Sequence, residues 1–177
     1  MKHFYFILLF VLFFCQCRHK EKNIITQYSG KPEVPSSIKK EHEYLLDKIR
    51  KITLFQDSTG RAAVKLNDLM KHHFTEEEDY VLPPLGLLPL LASGKLPEQS
   101  KETIQLCEKL KSQLSHLSAE HQLIKAFMDE LKLAATGENH PEILEFEKEL
   151  QKHANTEEEL FFPAAILIGE YLKLKSL

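Results

Sequence analysis

QKHANTEEELFFP, residues 151–163, is the stretch from which this chain is read. It sets His153 and, four residues on, Glu157 ahead of an apolar run that ends at Pro163. HFTEEEDYVLP, residues 73–83, repeats the arrangement with His73, Glu77 and Pro83. In both stretches His precedes Glu by four residues and Pro by ten. A helix stacks positions i and i+4 on one face, one above the other. Each stretch can therefore point an imidazole and a carboxylate at a single spot. Two such helices facing each other would bring two His and two Glu together, as a two-metal site requires.

Working outward, each stretch lies on a longer apolar seam at helical spacing. The seam Ile143, Phe146, Leu150, His153, Glu157, Leu160, Ala164 predicts a helix from 141, bent at Pro163 and resuming over 166–173. Ala62, Leu66, Leu69, His73, Glu77 and Tyr80 predict one over 61–80, ended by Pro83 and Pro84. Ile38, His42, Leu45, Ile49 and Ile52 predict one over 38–55, with Ser36 or Ser37 as N-cap. Leu110, Leu114, Leu117, His121, Ile124, Met128, Leu131 and Ala135 predict one over 98–135. Residues 57–60 and 136–140, with Gly60 and Gly137, read as turns. Residues 81–97, apolar but broken by prolines, read as an irregular cap across one end. Four amphipathic helices with mostly short links predict an all-α fold, an antiparallel up-down four-helix bundle over 36–177.

The polar interruptions of these seams repeat. His42 to His73 spans 31 residues and His121 to His153 spans 32, and a Glu (Glu41, Glu120) precedes each first His. The chain reads as two copies of one helical hairpin offset by 79 or 80 residues. A pseudo-twofold bundle would bring His42, His73, Glu77, His121, His153 and Glu157 to one level. A carboxylate buried without a partner costs several kcal/mol or a large pKa shift. Two in one core would also repel, and a pair of cations removes both problems. Imidazole with carboxylate suits iron, manganese or zinc. A lone His on an apolar face is ordinarily a hydrogen-bonded core residue; six donors in register with a repeated spacing favour the metal reading.

The remaining candidates read more plainly. His72 lies about 100° round the helix from His73, so it is exposed or supports the site, with a register slip to His72 and Glu76 as the alternative. His116 lies off the seam and His140 in a turn. Cys107 reads as a core thiol, and Tyr80 as a possible support for Glu77. The acidic runs 76–79 and 157–159 read as solvated faces apart from one inward Glu in each.

Composition sets the outer bounds. With 177 residues, 43% hydrophobic and 28% charged, the chain can bury a sizeable single core. A net charge of −3 and pI of about 6.3 leave no electrostatic footprint for nucleic acid. Residues 1–17, MKHFYFILLFVLFFCQC, hold an apolar run of eleven, short of the roughly 20 residues a membrane-spanning helix needs. The run reads as a secretory signal. It ends on Cys15 and Cys17 in the manner of a bacterial lipoprotein signal, with Cys17, or else Cys15, acylated. Phe14 and Gln16 stand where that pattern wants a small residue. Residues 18–35 read as a flexible tether. This places the domain outside the cytoplasm, lipid-anchored to a bacterial membrane.

At the six donors the chain resembles the hemerythrin-like family, the HHE cation-binding domains. Their pattern H…HxxxE…H…HxxxE is met at His42, His73/Glu77, His121 and His153/Glu157, and the resemblance runs over roughly 36–175. EHEYLLDKI, HHFTEEEDYVLPPLGLLPLLASGK, SAEHQLIKAFMDEL and HANTEEELFFPAAILIGEYLKLK are similar to stand-alone bacterial members. The resemblance implies two non-haem iron ions, bridged by the two Glu and held by the four His. It also implies a small diatomic ligand or peroxide as partner. Oxygen-carrying hemerythrins have a further His one turn after the third-helix ligand, where this chain has Lys125. The expected function is binding, sensing or handling of O2, NO, peroxide or iron. The alternatives are a di-iron oxidoreductase acting on ferrous iron, peroxide or NO, and a metal-stapled bundle that binds a partner.

Overall fold

Five apolar positions at helical spacing set α1 (Ser36–Ile52), which buries Ile38, His42, Leu45, Ile49 and Ile52, all five expected. Pro35 takes the N-cap position, and no side chain caps that end. Ser36 and Ser37 lie inside the first turn instead of capping it. The computed structural model describes residues 32–176. The signal and acylation readings at 1–17, with Cys15 and Cys17, therefore fall outside the described residues, as does most of the tether.

The stretch expected to be a turn at 57–60 begins a helix, α2 (Ser58–Glu76). Asp57 caps it, its carboxylate accepting from the Gly60 N–H at 3.0 Å. Only glycine fits at position 60, because a Cβ there would stand 2.0 Å from the Phe55 carbonyl oxygen. The buried stripe runs through Ala63, Leu66, Met70, His73 and Phe74. Ala62 and Leu69, expected inside, are half-buried. α2 packs against both α1 and α4, so its inner face is centred between adjacent apolar positions that periodicity alone does not separate.

α2 then widens into a π turn, Glu77–Val81, closed by the Leu82 N–H to the Glu77 carbonyl at 2.9 Å. A 3₁₀ turn, Pro83–Leu87, and the short α3 (Leu88–Ala92) follow. This is the cap expected over 81–97, and it buries Val81, Leu82, Leu85 and Leu87.

α4 (Lys101–Glu138) runs straight through Gly137. The reversal comes at Asn139, in the left-handed region at φ 62°, with the His140 N–H returning to the Ala135 carbonyl at 2.9 Å. Leu114, expected on the seam, is exposed.

α5 (Glu142–Thr156) passes through a second π turn, Glu157–Phe161, into α6 (Phe162–Lys175). The extra residue in that turn rotates everything after it. Leu160 is thrown outward, 60% exposed, and Phe162, Ala165, Ile168 and Leu172 take the inner face. Pro163 sits in the first turn of α6, where a missing N–H costs least. The departure from regular helix is thus the π turn before Pro163, and the helix resumes at Phe162 instead of Ile166.

The described residues are helical, with no strand among them. No described helix is long and apolar enough to cross a membrane. α1 packs on α2 and α5, and α4 on α2, α5 and α6. The core divides in two. One cluster holds Leu45, Ile49, Leu66, Met70, Phe74, Ile124, Met128, Leu131, Phe146 and Leu150 with their neighbours. The other holds Ile38, Tyr80, Val81, Leu85, Leu110, Leu117, Phe162, Ile168 and Leu172 with theirs. A polar level lies between them.

Candidate metal centre

Each His of that level is buried by the seam it interrupts. His42 comes from α1, His73 from α2, His121 from α4 and His153 from α5; Glu77 and Glu157 open the two π turns. All six are buried, and the two carboxylates are fully enclosed.

The structure brings the six together as two overlapping groups. His42 and His153 meet both Glu on one side; His73 and His121 meet the same two Glu on the other. In each group the donor atoms lie within 4.8 Å of one another. His153 Nε2 stands 3.0 Å from Glu157 Oε1, and His73 Nε2 stands 3.3 Å from Glu77 Oε1. His121 Nε2 lies 3.5 Å from Glu157 Oε2, and His42 Nε2 lies 3.5 Å from Glu157 Oε1 and 3.7 Å from Glu77 Oε2. Two donors each about 2.1 Å from one first-row cation stand roughly 3.0–3.4 Å apart.

These approaches are not aligned as hydrogen bonds. The Nε2 of all four His and both oxygens of both Glu lack a hydrogen-bond partner. Buried polar atoms are almost always paired, so eight orphans facing one space are what a donor set for cations looks like. On three of the four His the opposite ring nitrogen is engaged. His42 Nδ1 pairs with Glu78 Oε1 at 2.9 Å, His73 Nδ1 with Glu120 Oε2 at 2.8 Å, and His121 Nδ1 with Glu158 Oε1 at 2.7 Å. His153 Nδ1 faces Glu41 Oε1 at 3.5 Å. A carboxylate on Nδ1 fixes the tautomer with its lone pair on Nε2 and raises that atom's basicity.

Each Glu opens its π turn, with its own N–H still bonded to the carbonyl of the His four residues back, so the regular helix places the His–Glu pair and the widening follows it. Such turns are rare and frequently lie at functional sites. Phe74 stacks on His42 with ring centroids 4.0 Å apart, and Phe162 stacks on His121 at 5.9 Å, so the rings sit against apolar walls.

Without a cation the charges strain against one another. Burial opposes charge on His73, yet Glu77 and Glu120 beside it raise its pKa to about 9. His121 and His153 are likewise raised, by Glu157 foremost, against their burial. Burial and the neighbouring Glu157 push Glu77 upward. Glu157, despite burial, is held low by His121, His153 and His42. One carboxylate cannot ionise freely while the other does.

The other candidates fall into place. His73 and Glu77 face inward while His72 is exposed, so the register slip to His72 and Glu76 does not occur. Tyr80 is buried among the second apolar cluster with its hydroxyl unpaired, and makes no hydrogen bond to Glu77. Cys107 is a core thiol donating to the Ala165 carbonyl at 3.0 Å, and burial pushes its pKa up to about 11. His140 stacks on Phe55 and binds Asp57 at 2.8 Å, tying two turns together. The supporting carboxylates Glu78 and Glu158 were hidden in runs read as solvated faces. The signal for Glu41 and Glu120 was present, since each precedes a seam His.

The sequence matches the hemerythrin HHE cation-binding domain over residues 33–165. The chain belongs to that family. Neither the curated proteins nor the solved structures supplied a match. For a hemerythrin-like domain the orphaned atoms are the expected cation donors, and cation binding is the property its family name carries. A cleft of about 200 Å³ between α4 and α5 is lined by His121, Glu158, Lys125, Met128, Leu150 and Ala154 among others.

Proposed function

We propose that this hemerythrin-like domain holds two non-haem iron ions and binds, senses or handles O2, NO, peroxide or iron there. His42 and His153 would hold one ion, His73 and His121 the other, with Glu77 and Glu157 shared between them. Manganese or zinc suits the same donors. The helices serve as four antiparallel up-down rods, each bringing donors to one level. The observation that carries this reading is the set of eight buried donor atoms without hydrogen bonds, backed by carboxylates on the opposite nitrogens.

When bound, the ions would supply a place for a small ligand and a store of electrons, and Glu77 and Glu157 would balance their charge. The chain's own part is to orient, dry and admit. The carboxylates on Nδ1 aim the imidazoles. The apolar clusters on either side keep water from the site. The cleft between α4 and α5 has volume enough for a diatomic or peroxide, and His121 is part of its lining. That opening also favours, as second reading, an oxidoreductase acting on a small substrate; steady turnover with a supplied reductant separates it from binding alone. In our reading the chain is a bacterial protein anchored outside the cytoplasm through acylated Cys17, or Cys15, which metabolic labelling with a fatty acid would detect.

The test is metal analysis of protein purified from iron-rich medium, with optical spectra under air, dithionite and nitric oxide. About two irons per chain and a near-ultraviolet band that responds to nitric oxide are expected. Protein that carries no metal after such growth would overturn the proposal.

A further inference from the structure

His72, Glu76, His116 and Glu120 form a second cluster on the outer side of α2 and α4, away from the six inner donors. His72, Glu76 and Glu120 offer atoms all within 4.8 Å of one another. His116 Nε2 is hydrogen-bonded to Glu76 Oε2 at 2.9 Å, a pairing a cation would replace, and stands 3.7 Å from Glu120 Oε1. His72 Nε2 stands 3.8 Å from the same Glu120 oxygen. Glu120 is the hinge of the arrangement. Its side chain is nine-tenths buried, Oε2 is spent on His73, and Oε1 makes no hydrogen bond and faces the two outer imidazoles.

The internal repeat supplies a control. The offsets of 79 and 80 make Ser37, Glu41, Lys152 and Thr156 the counterparts of His116, Glu120, His72 and Glu76. The shared element, a Glu behind an inner His, is present on both the α2–α4 and the α1–α5 face. The outer imidazoles and second carboxylate are present on the α2–α4 face alone. Nothing in the bundle's packing demands them there, since His72 and His116 are 63% and 44% exposed. Glu41, without such neighbours, is 46% exposed and stands 3.5 Å from His153, whereas Glu120 is buried and stands 2.8 Å from His73.

We propose that His72, Glu76, His116 and Glu120 form an outer site for a divalent first-row transition cation, joined to the inner site through the two oxygens of Glu120. Two imidazoles and two carboxylates suit zinc or ferrous iron over calcium or magnesium. The outer site is open to solvent and exchanges its ion; the inner one is closed. A cation on Oε1 draws electron density from the carboxylate that orients His73, so occupancy outside is felt at the inner ligand.

The experiment titrates Zn²⁺ into the full chain as purified, by calorimetry, after desalting and analysis of tightly held metal. His72→Ala/His116→Ala removes the outer imidazoles, and Lys152→Ala marks the related position in the second half. The wild type and Lys152→Ala should take up one Zn²⁺ equivalent more than the double variant, with tightly held metal equal in all three. Glu76→Gln should weaken that equivalent roughly tenfold or more. Equal uptake at equal affinity by wild type and the double variant would overturn the outer site. This outcome is separate from the inner reading: absence of tightly held metal from all three proteins would count against the inner site, while the outer equivalent is still counted by difference.

Discussion

Removing the metal should expose the cost of the inner carboxylates. Glu77 and Glu157 are wholly buried and have no hydrogen bonds to replace lost cations. His73, raised to about 9, offsets part of their charge in the metal-free protein, and the raised His121, His153 and Glu77 take up more of it. Losing the partner of a buried charge nonetheless costs about 3 kcal/mol. In a chain of this size 1 kcal/mol moves the melting midpoint by about 2–4 °C, so stripping the metal should lower it by about 6–12 °C. Differential scanning calorimetry with and without a strong chelator, followed by readdition of ferrous iron, makes the measurement. Glu77→Gln/Glu157→Gln supplies the contrast. It should lose most of the metal-dependent shift, and its metal-free form should melt at or above the metal-free wild type. The reasoning is refuted if the chelator strips metal without moving the wild-type midpoint. It is equally refuted if the double variant, metal-free, melts well below the metal-free wild type.

Glu78→Gln and Glu158→Gln keep the inner ligands but weaken the carboxylate on His42 or His121; each should lower metal affinity about 10- to 100-fold in a chelator competition while the fold stays intact. Gly169→Ala would place a Cβ 2.5 Å from Cys107 Cβ, so overpacking should cost about 1–3 kcal/mol, read from the urea midpoint. Glu138 accepts from the Ser58 and Thr59 N–H groups and the Thr59 hydroxyl, and the hydroxyl bond foremost holds its pKa near 2. A depressed carboxylate stabilises above its ordinary pKa and loses that contribution as pH falls. The wild type should therefore outmelt Glu138→Gln at pH 6, with the gap closing as pH falls from 4.5 toward 2.

The sequence carried the helices and the convergence of the four His and two Glu because both rest on short-range periodicity. α1 is the clearest case: its five buried residues are the five predicted. The joint placement of His73 with Glu77 and His153 with Glu157 follows from the i, i+4 rule. What escaped reading depends on backbone that leaves the α period. The two π turns shift phase by one residue, so Leu160 was expected inside and lies outside, while Phe162 moves in. Residues 57–60 looked like a turn because Asp-Ser-Thr-Gly favours one equally with a helix start; the Phe55 carbonyl, close against Gly60, decides for the helix. Gly137 looked like a stop, yet an isolated glycine can be carried within a long helix, and Asn139 ended α4. Which carboxylate meets which Nδ1 atom was unreadable because the partners come from other helices. His42 takes its partner from 36 residues away and His73 from 47.

A level of buried ionisable groups divides the apolar interior into two separate oils. Cooperativity between the halves then passes in large part through whatever fills that plane. With cations in place the halves should exchange their amide protons as one unit. With the plane emptied, α6 and the proline-rich cap should open independently of the half built on Leu66 and Phe146, and amide exchange would resolve two rates in place of one.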